Sequence, residues 1–494
     1  MFTAAHSLPT ARDTTDSTLT DCLHSKDVPI SLIRDTNFAS LAKPYNLRLP
    51  YTPTVIILPT TPQHVSDAVL CAGAHNIKVQ AKSGGHSYAS YSSGGQNGSM
   101  MVHLQSMQNI TLDADSGIVS VGGGIRLGNL AQGIWDQGKR ALAHGTCPGV
   151  GIGGHFTHGG YGYDSRMWGL AMDAIVGLDV VLANGSFVHA TETEYPEVYW
   201  ALRGAADSFG IITTFHLQTQ AAPSTVITWS YTIPGMFDSA STSATSFTHI
   251  QSFAQNASVV DRNLGFGMYM DGSGFSISGT YIGTQSHFTT IIATELLRGL
   301  PTPTASTVQA VDWIKSLTLL SNQDSLTEPT AGYSAHDNFF AKSVTVPESA
   351  PLTTAALQSY WAYMIANGTN PVAPWYTIVN LYGGPDSQIN DNKNTSFAAY
   401  ADRSSLWVFQ HYVFTSGATL PDAAIPFLDG FNESLTREMP GAGFGAYLNY
   451  VDPSLSASEA HELYYGEELY ERLKELKGRV DPQGVFWNPQ AVGA

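Results

Sequence analysis

The segment that most constrains this chain is a glycine-dense stretch around one cysteine, HGTCPGVGIGGHFTHGGYGYDSRMWGLAMD at residues 144–173, in which nine residues are glycine. Because glycine has no Cβ, a backbone so rich in it can lie directly against a planar or anionic ligand. We therefore predict that this loop wraps a cofactor. The glycines expected to contact it are Gly149, Gly151, Gly153, Gly154 and Gly160.

Two common glycine-loop sites do not fit this stretch. It does not lie in a single βαβ unit followed by an acidic residue, as the dinucleotide fingerprint requires, and it lacks the phosphate-loop pattern. His155 and His158 have no neighbouring carboxylate or cysteine at zinc-ligand spacing, so no metal site is predicted.

Two further segments add to the glycine stretch. KSGGHSYASYSSGG at residues 82–95 places Gly84 and Gly85 directly before His86, a turn that suits a diphosphate but also fits an ordinary strand-to-loop joint. WALRGAADSFGIITTF at residues 200–215 predicts a helical turn and then a strand, and by itself indicates no more than core packing.

The first half of the chain alternates strands and helices. Residues 53–59 are apolar and β-branched, and Thr61-Pro62 then forms a helix start, with the helix running to about His75. Asn184-Gly185 between two apolar runs predicts a hairpin. Further strands are predicted at residues 77–82, 101–104, 117–124, 174–190 and 209–220.

The composition changes near residue 222, where a segment rich in serine and threonine begins. Its alternation of strands and helical windows predicts an α+β sheet covered on one side, with a helix at 351–367. We predict a cofactor-binding domain at 1–222, a substrate domain at 223–454 and a return to the first domain at 455–494. The predicted strands of the second domain are SFTHI (246–250), FSISGTYIG (275–283), WYTIVNLYGG (375–384) and LWVFQHYVF (406–414).

Charge excludes several partners. The chain has 23 Lys and Arg against 40 Asp and Glu, a formal charge of -17, which repels nucleic acid and anionic lipid. No apolar run is long enough to span a bilayer.

Several Asn-X-Ser/Thr acceptors favour a secreted protein, and we expect a monomer. The acceptor asparagines are Asn97, Asn109, Asn184, Asn256, Asn367, Asn394 and Asn432.

The three cysteines have different surroundings. Cys22 and Cys71 can close a loop of about 50 residues, a disulfide that stabilises by about 4 kcal/mol in the chain-entropy model, or they can be two buried free thiols. Cys147 stands among the glycines described above.

Together these segments, with YLNYVD at 447–452 and DPQGVFWNPQ at 481–490, resemble the berberine-bridge-enzyme-like branch of the vanillyl-alcohol oxidase type flavoproteins. The similarity is greatest to fungal oligosaccharide oxidases that carry bicovalent FAD. It implies an α+β fold, in which a vanillyl-alcohol oxidase type FAD-binding domain is joined to a separate antiparallel-sheet substrate domain.

The resemblance assigns the cofactor residues. It implies that His86 is bonded to the flavin 8α-methyl and Cys147 to flavin C6, two nucleophiles able to add to an electron-poor isoalloxazine. Val150 matches a position where a small side chain accompanies reaction with O2, which favours an oxidase. The other implied FAD contacts are Ser83, Gly84, Gly85, Ser87, Gly149, Gly151, Gly153, Gly154, His155, Gly160, Ile211 and Asn488.

The resemblance also implies catalytic groups. Tyr450 matches the catalytic base, although it can also be a packing aromatic of a sheet. Its usual aspartate partner is replaced here by Asn380, which can orient a phenol but cannot take its proton. Tyr88 and Gln410 match positions that line a sugar groove.

Two aromatic or apolar groups complete the predicted substrate site. Trp375 and Tyr376 could stack on a pyranose ring. Where some relatives place charged groups for distal sugar units, residues 268–270 are Met-Tyr-Met, so long cello-type oligosaccharides are not expected to be preferred.

The resulting expectation is a secreted flavin oxidase that converts the anomeric C1 hydroxyl of mono- or oligosaccharides to a lactone and reduces O2 to H2O2. An oxidase of a secondary metabolite or aromatic alcohol on the same scaffold is the alternative, because fold does not fix substrate. From another class, a flavin-loaded storage protein without turnover also fits the cofactor residues.

Overall fold

The computed structural model describes residues 11–332, 336–390, 394–417 and 419–494, with side chains described from Thr18 onward. Strands and helices are numbered in chain order.

The strands are β1 Ile30–Ser31, β2 Val55–Ile57, β3 Val79–Lys82, β4 Met100–His103, β5 Ile110–Leu112, β6 Ile118–Gly122, β7 Arg140–Ala141, β8 Ile175–Val181, β9 Phe187–Ala190, β10 Ile211–Gln218, β11 Gln220–Ala221, β12 Val226–Thr232, β13 Leu264–Met270, β14 Phe275–Tyr281, β15 Ala305–Val311, β16 Asn338–Pro347, β17 Trp375–Leu381 and β18 Ser405–Thr415.

The α-helices are α1 Ala11–His24, α2 Phe38–Ala42, α3 Pro62–Ala74, α4 Leu127–Gly138, α5 Ile152–Thr157, α6 Ser165–Trp168, α7 Pro196–Ala205, α8 Ala240–Ala254, α9 Gln285–His287, α10 Ala293–Leu297, α11 Trp313–Ser321, α12 Thr354–Gly368, α13 Ala424–Thr436, α14 Ala457–Tyr464 and α15 Gly466–Val480. None of the helices in the described part of the chain is both long and apolar enough to cross a bilayer.

The N-terminal half contains two main sheets. The first has the order β1-β2-β4-β3, in which β2, β4 and β3 are parallel. Helix α3 begins as predicted, with Thr61 as N-cap accepting a bond from the His64 amide and proline at the first helical position. The second sheet, β5-β6-β10-β8-β9, is antiparallel, and the predicted Asn184-Gly185 hairpin joins β8 to β9.

The second half is built on a seven-stranded antiparallel sheet of order β15-β12-β14-β13-β17-β18-β16. Helices α8, α12 and α13 pack together over one of its faces and form one hydrophobic core with it. The opposite face is left for the site described below.

One predicted strand of this half is wrong. SFTHI, at 246–250, lies inside helix α8, whose N-cap Ser239 accepts a bond from the Thr242 amide. Phe247 and Ile250 are buried one helical turn apart, and Thr248 bonds the Ala244 carbonyl one turn back. Packing against α12 overrides the weak helix preference of serine and threonine.

The C-terminal segment returns to the first sheets. Phe486 pairs with Val79 beside β3, and the buried Lys477 ammonium donates to the carbonyls of Ser208 and Phe486 while paired with Asp481. The mixture of a partly parallel sheet, antiparallel sheets and separate helices confirms the α+β class.

The predicted disulfide is confirmed. Cys22 of α1 and Cys71 of α3 are bonded, with Cα atoms 5.9 Å apart. Cys147 takes no part in a disulfide and is partly exposed.

Candidate active site

One cavity of about 480 Å³ lies between the glycine-rich loops of the N-terminal half and the free face of the seven-stranded sheet. It gathers most of the residues predicted from sequence. Those on its wall are Ser83, Gly84, Gly85, His86, Ser87, Tyr88, Cys147, Val150, Gly151, Gly153, Gly154, His155, Ile211, Tyr376, Asn380, Gln410 and Tyr450.

The loop after β3 and the loop before α5 are in backbone contact. A Cβ on Gly84 would collide with the backbone of Gly151, and a Cβ on Gly151 would collide with the backbone of Gly84. Ser83 fastens the same junction, because its hydroxyl donates to the Gly123 carbonyl at 2.6 Å and accepts from the Gly153 amide at 3.2 Å. Both glycines are therefore required for the two loops to meet at the cavity.

His86 and Cys147 face one another across this junction. The Sγ atom of Cys147 lies 4.0 Å from Nε2 of His86, and the His86 ring stacks on Tyr45 with centroids 3.8 Å apart. Burial, reinforced by the nearby Arg126 charge, lowers the pKa of His86 to about 3. The imidazole is therefore neutral at working pH, the form in which its nitrogen is nucleophilic.

His155 supports the cysteine loop. Its Nε2 accepts a bond from the Gly145 amide at 2.9 Å. Burial lowers its pKa to about 3, so this ring is also neutral.

The far end of the cavity is polar. Asp207 lies on the wall, where it pairs with His158 at 3.6 Å and accepts from Nδ2 of Asn488 at 2.7 Å. Burial opposes its ionisation, but these two partners hold the pKa of its carboxyl below the usual range. Asn488 is fully buried behind Asp207 and does not reach the wall itself.

Gly149 and Gly160 also stand behind the wall. The Gly149 carbonyl packs next to Gly84, and the Gly160 amide donates to the Tyr447 hydroxyl at 2.9 Å. Direct contact of these two residues and Asn488 with the cofactor stays a prediction.

The opposite end of the cavity is formed by tyrosines. The Tyr450 ring lies parallel to Tyr88 with centroids 5.6 Å apart, and the Tyr88 hydroxyl accepts a bond from Nε2 of Gln410 at 2.7 Å. Tyr447 meets Tyr450 edge-on at 4.8 Å. The structure thus brings the predicted base and the two predicted groove residues into one cluster.

This end carries little charge. Among the described residues on the wall, Asp207 is the one acidic side chain and none is lysine or arginine. Burial raises the pKa of Tyr450 well above its usual value, with a smaller contribution from Tyr447. Asn380 is buried on β17 near the Tyr163 hydroxyl, since both border the position that a side chain on Gly267 would take.

The prediction for Trp375 is wrong. Trp375 is buried in the core between the sheet and its helices, and its indole N–H donates to the Gly368 carbonyl. Consecutive strand residues point to opposite faces, so only Tyr376 reaches the cavity. Tyr376 stacks on Tyr412 at 4.8 Å and on the exposed Tyr269 at 5.8 Å, which extends an aromatic surface outward from the site.

Sequence reasoning missed several residues of the wall. Tyr45, which stacks on His86, comes from a segment with no motif. Tyr447 lies in the same YLNYVD segment as Tyr450, and its hydroxyl accepts from the amides of Gly160 and Tyr161. That motif was the one available signal for Tyr447.

Strand β16 holds the segment that carries Tyr447 and Tyr450. The Ser343 hydroxyl accepts from the Tyr447 amide at 3.0 Å, and Thr345 pairs with Gly445. Lys342 lies 3.3 Å from Asp452, two residues after Tyr450. The segment that carries Tyr450 is therefore positioned by the sheet.

His86, Cys147 and the glycine loops of the cavity wall fit a flavin dinucleotide. The two positions of an isoalloxazine that accept such bonds, the 8α-methyl and C6, flank C7 on one edge of its benzenoid ring, so their anchors must be close neighbours. The 4.0 Å between His86 and Cys147 meets this requirement. Along the rest of the cavity, the glycines of the two loops leave backbone groups uncovered by side chains, so these groups can bind the diphosphate.

Comparison with known proteins agrees with this geometry. A family model described as FAD binding domain matches residues 53–191, and one described as berberine and berberine like matches residues 446–493. The chain is 38% identical to a xylooligosaccharide oxidase of Thermothelomyces thermophilus, over 96% of this chain and 93% of the relative.

Two solved structures are similar over nearly the whole chain. A carbohydrate oxidase from Microdochium nivale in complex with a substrate analogue superposes with a TM-score of 0.88 and 34% identity, covering 96% of this chain and 99% of that one. A glucooligosaccharide oxidase from Acremonium strictum with a 6-S-cysteinyl, 8α-N1-histidyl FAD gives a TM-score of 0.89 and 30% identity, with the same coverage. The chain binds FAD and belongs to the berberine-bridge-enzyme-like family of FAD-dependent oxidases.

Proposed function

We propose that the protein oxidises the anomeric C1 hydroxyl of a mono- or oligosaccharide to a lactone and reduces O2 to H2O2. The observation that carries the proposal is the cavity itself, in which Tyr450 and the hydrogen-bonded pair Tyr88 and Gln410 share one wall with His86 and Cys147. The carbohydrate oxidases to which the chain is similar support the choice of a sugar.

The cofactor is proposed to be attached twice, through His86 and Cys147. The neutral imidazole and the partly exposed thiol are both nucleophiles, and they stand 4.0 Å apart. The Acremonium relative carries the same pair of linkages. Two bonds keep the cofactor in a cavity that must open to admit a sugar.

Tyr450 is proposed as the general base. Its phenolic oxygen accepts the proton of the anomeric hydroxyl while C1 loses a hydride. When bound, FAD supplies the acceptor for that hydride, and O2 then takes up the two electrons as H2O2. Tyr88 and Gln410 hold the sugar hydroxyls in position, and Asn380 orients polar groups without taking a proton.

The substrate is expected to be uncharged. No lysine or arginine stands on the described part of the wall to bind an acid, and the one carboxylate there, Asp207, is paired with His158 and Asn488. Tyr376 and the exposed Tyr269 offer stacked aromatic faces to the C–H faces of pyranose rings.

An aromatic alcohol is the second candidate substrate. Eight tyrosines stand on the cavity wall, and a ring could stack among them as a sugar does. On the same scaffold Tyr450 would remove the proton of a benzylic hydroxyl.

Secretion and a monomeric state are also part of the proposal, together with an FAD-binding domain at 1–222, a substrate domain at 223–454 and a returning segment at 455–494. The disulfide between Cys22 and Cys71 suits an oxidising compartment. Asn97, Asn109 and Asn184 are exposed acceptors for glycans.

A peroxide-release screen tests the proposal. Mono- and disaccharides should release H2O2 and yield lactone or aldonic acid, while the matching methyl glycosides, whose C1 hydroxyl is blocked, should release none. Turnover of methyl glycosides would show oxidation at another carbon, and a response to aromatic alcohols alone would replace the sugar with the second candidate. A yellow protein that releases no peroxide from any substrate would contradict oxidase function.

A further inference from the structure

Three side chains with metal-binding atoms meet on a sheet of the N-terminal half, outside the cavity. Asp179 on β8, His189 on β9 and His216 on β10 each offer one ligand atom, and these atoms lie within 4.8 Å of one another. Asp179 and His189 are direct cross-strand partners, and β10 pairs with the other side of β8. Three adjacent strands thus contribute one ligand each.

The cluster lies on the outer face of this sheet. Phe215, next to His216, is fully buried and lines the cofactor cavity, so alternation along β10 directs His216 away from it. The His189 side chain is 46% exposed, whereas those of Asp179 and His216 are 23% exposed. An ion can reach the cluster from solvent without entering the flavin site.

The side chains are already oriented toward a common point. Nδ1 of His189 lies 2.6 Å from one oxygen of Asp179, and Nε2 of His216 lies 3.2 Å from the other. The opposite nitrogen of His216 contacts the Ser120 hydroxyl at 3.0 Å, the kind of outer bond that fixes the ring of a metal-binding histidine.

A glycine keeps the cluster open. Gly177 precedes Asp179 by two residues on β8, and a Cβ there would lie 3.0 Å from Cε1 of His189 and 3.5 Å from Cδ2 of His216. The first contact is tighter than most Cβ contacts and the second is an ordinary van der Waals contact, so a larger residue would press on the His189 ring. Glycine weakens a strand interior, and here its absence of a side chain leaves room between the two rings.

From this geometry we propose that Asp179, His189 and His216 bind a divalent transition-metal ion of the Zn²⁺ type. Two neutral imidazoles and one carboxylate are ligands that Zn²⁺ accepts, and water completes its coordination. The ion would lie between the ring nitrogens and the carboxylate oxygens that contact one another. The chain's formal charge of -17 favours a cation at this surface.

The expected role is structural. An ion held by β8, β9 and β10 ties β10, which carries Phe215 and Ile211 to the flavin cavity, to its neighbours. A ligand that binds only the folded state stabilises it, so zinc should raise the unfolding temperature. The expectation of no metal site rested on His155 and His158, whereas Asp179, His189 and His216 form no local ligand motif and come together only in the sheet.

Zinc binding by the flavin-loaded protein tests the site. The protein is stripped with a chelator and titrated with Zn²⁺ against a chromophoric competitor and by calorimetry. We expect one equivalent per chain, with an affinity that falls at least about tenfold in His189→Ala and in His216→Ala. His287→Ala, which removes an exposed histidine stacked on Tyr281 elsewhere, should bind as the parent does.

Two outcomes would overturn the proposal. One is a zinc affinity that is equal in the parent, His189→Ala and His287→Ala. The other is a parent protein that binds no zinc and shows no rise in unfolding temperature. Flavin absorbance and sugar oxidation measured on each variant establish that it is folded, and His189→Ala should leave both unchanged.

Discussion

The two ends of the cavity are built in different ways. At the cofactor end the wall is backbone, where the loops of Gly84 and Gly151 touch and Ser83 ties them together. At the substrate end the wall is side chain, where Tyr88 and Tyr450 project from separate segments and stack.

This difference separates the part of the site that cannot accept a larger residue from the part that can. A backbone wall tolerates no added side chain, so the cofactor end must keep its glycines. A side-chain wall can be altered one residue at a time, and Asn380 is one such position. Substitutions at the cofactor end should therefore abolish the site, whereas those at the substrate end should tune it.

The largest effect is expected for Gly151→Val. A side chain there collides with the backbone of Gly84, which cannot move aside, so overpacking should separate the loops. The purified protein should lose essentially all bound flavin, measured by absorbance after gel filtration. Gly478→Ala in α15 is the control and should stay yellow, because a Cβ added there meets no atom within 4 Å outside its own helix. A yellow, active Gly151→Val protein would show that the cofactor end does not depend on the contact between Gly151 and Gly84.

The next effect is expected for Tyr450→Phe, which keeps the ring and removes the base. Flavin should be retained in full while kcat falls about 10²- to 10⁴-fold, the usual contribution of a general base. Stopped-flow reduction of the flavin by sugar measures this step directly. Tyr195→Phe, at a tyrosine 52% exposed on the surface, should leave the rate unchanged. Equal rates of flavin reduction in the two variants would show that Tyr450 is not the base of the reaction.

A smaller effect is expected from pH and from Asn380→Asp. Burial raises the pKa of Tyr450, so its phenolate is scarce at neutral pH and kcat/KM should increase as the pH rises. A carboxylate at position 380 that takes the phenol's proton ionises at a lower pH than a phenol does, so the acid limb of the profile should move down. Asn380→Ala should lower the rate without moving the limb. If the acid limb of the kcat/KM profile does not move in Asn380→Asp, residue 380 does not take part in proton transfer from Tyr450.

The smallest effect is expected for Tyr269→Ala. Tyr269 is 40% exposed and stacks on Tyr376, so it can contact only a sugar unit beyond the one that reacts. KM for a disaccharide should rise about 2- to 10-fold, the range of an aromatic stacking contact, and KM for a monosaccharide should stay the same. Tyr195→Ala serves as the surface control. An equal rise for both sugars would place Tyr269 at the reacting unit.

The same difference explains what the sequence could predict. Glycine spacing is a direct sign of a backbone wall, so the sequence alone predicts that the loops at 82–95 and 144–173 bind a cofactor. Tyrosines on strands look like any core aromatic, and only the fold shows that Tyr376 reaches the cavity while Trp375 does not. SFTHI was misassigned because packing of α8 on α12 outweighs local preference.

The proposed double attachment of FAD is tested most directly by mass spectrometry of a proteolytic digest made under denaturing conditions. We predict one flavin-bearing species in which the peptides of His86 and Cys147 are joined through FAD, and a single-peptide adduct on His86 in Cys147→Ala. Recovery of the unmodified His86 peptide, together with a Cys147 thiol that alkylates in full, would contradict the account.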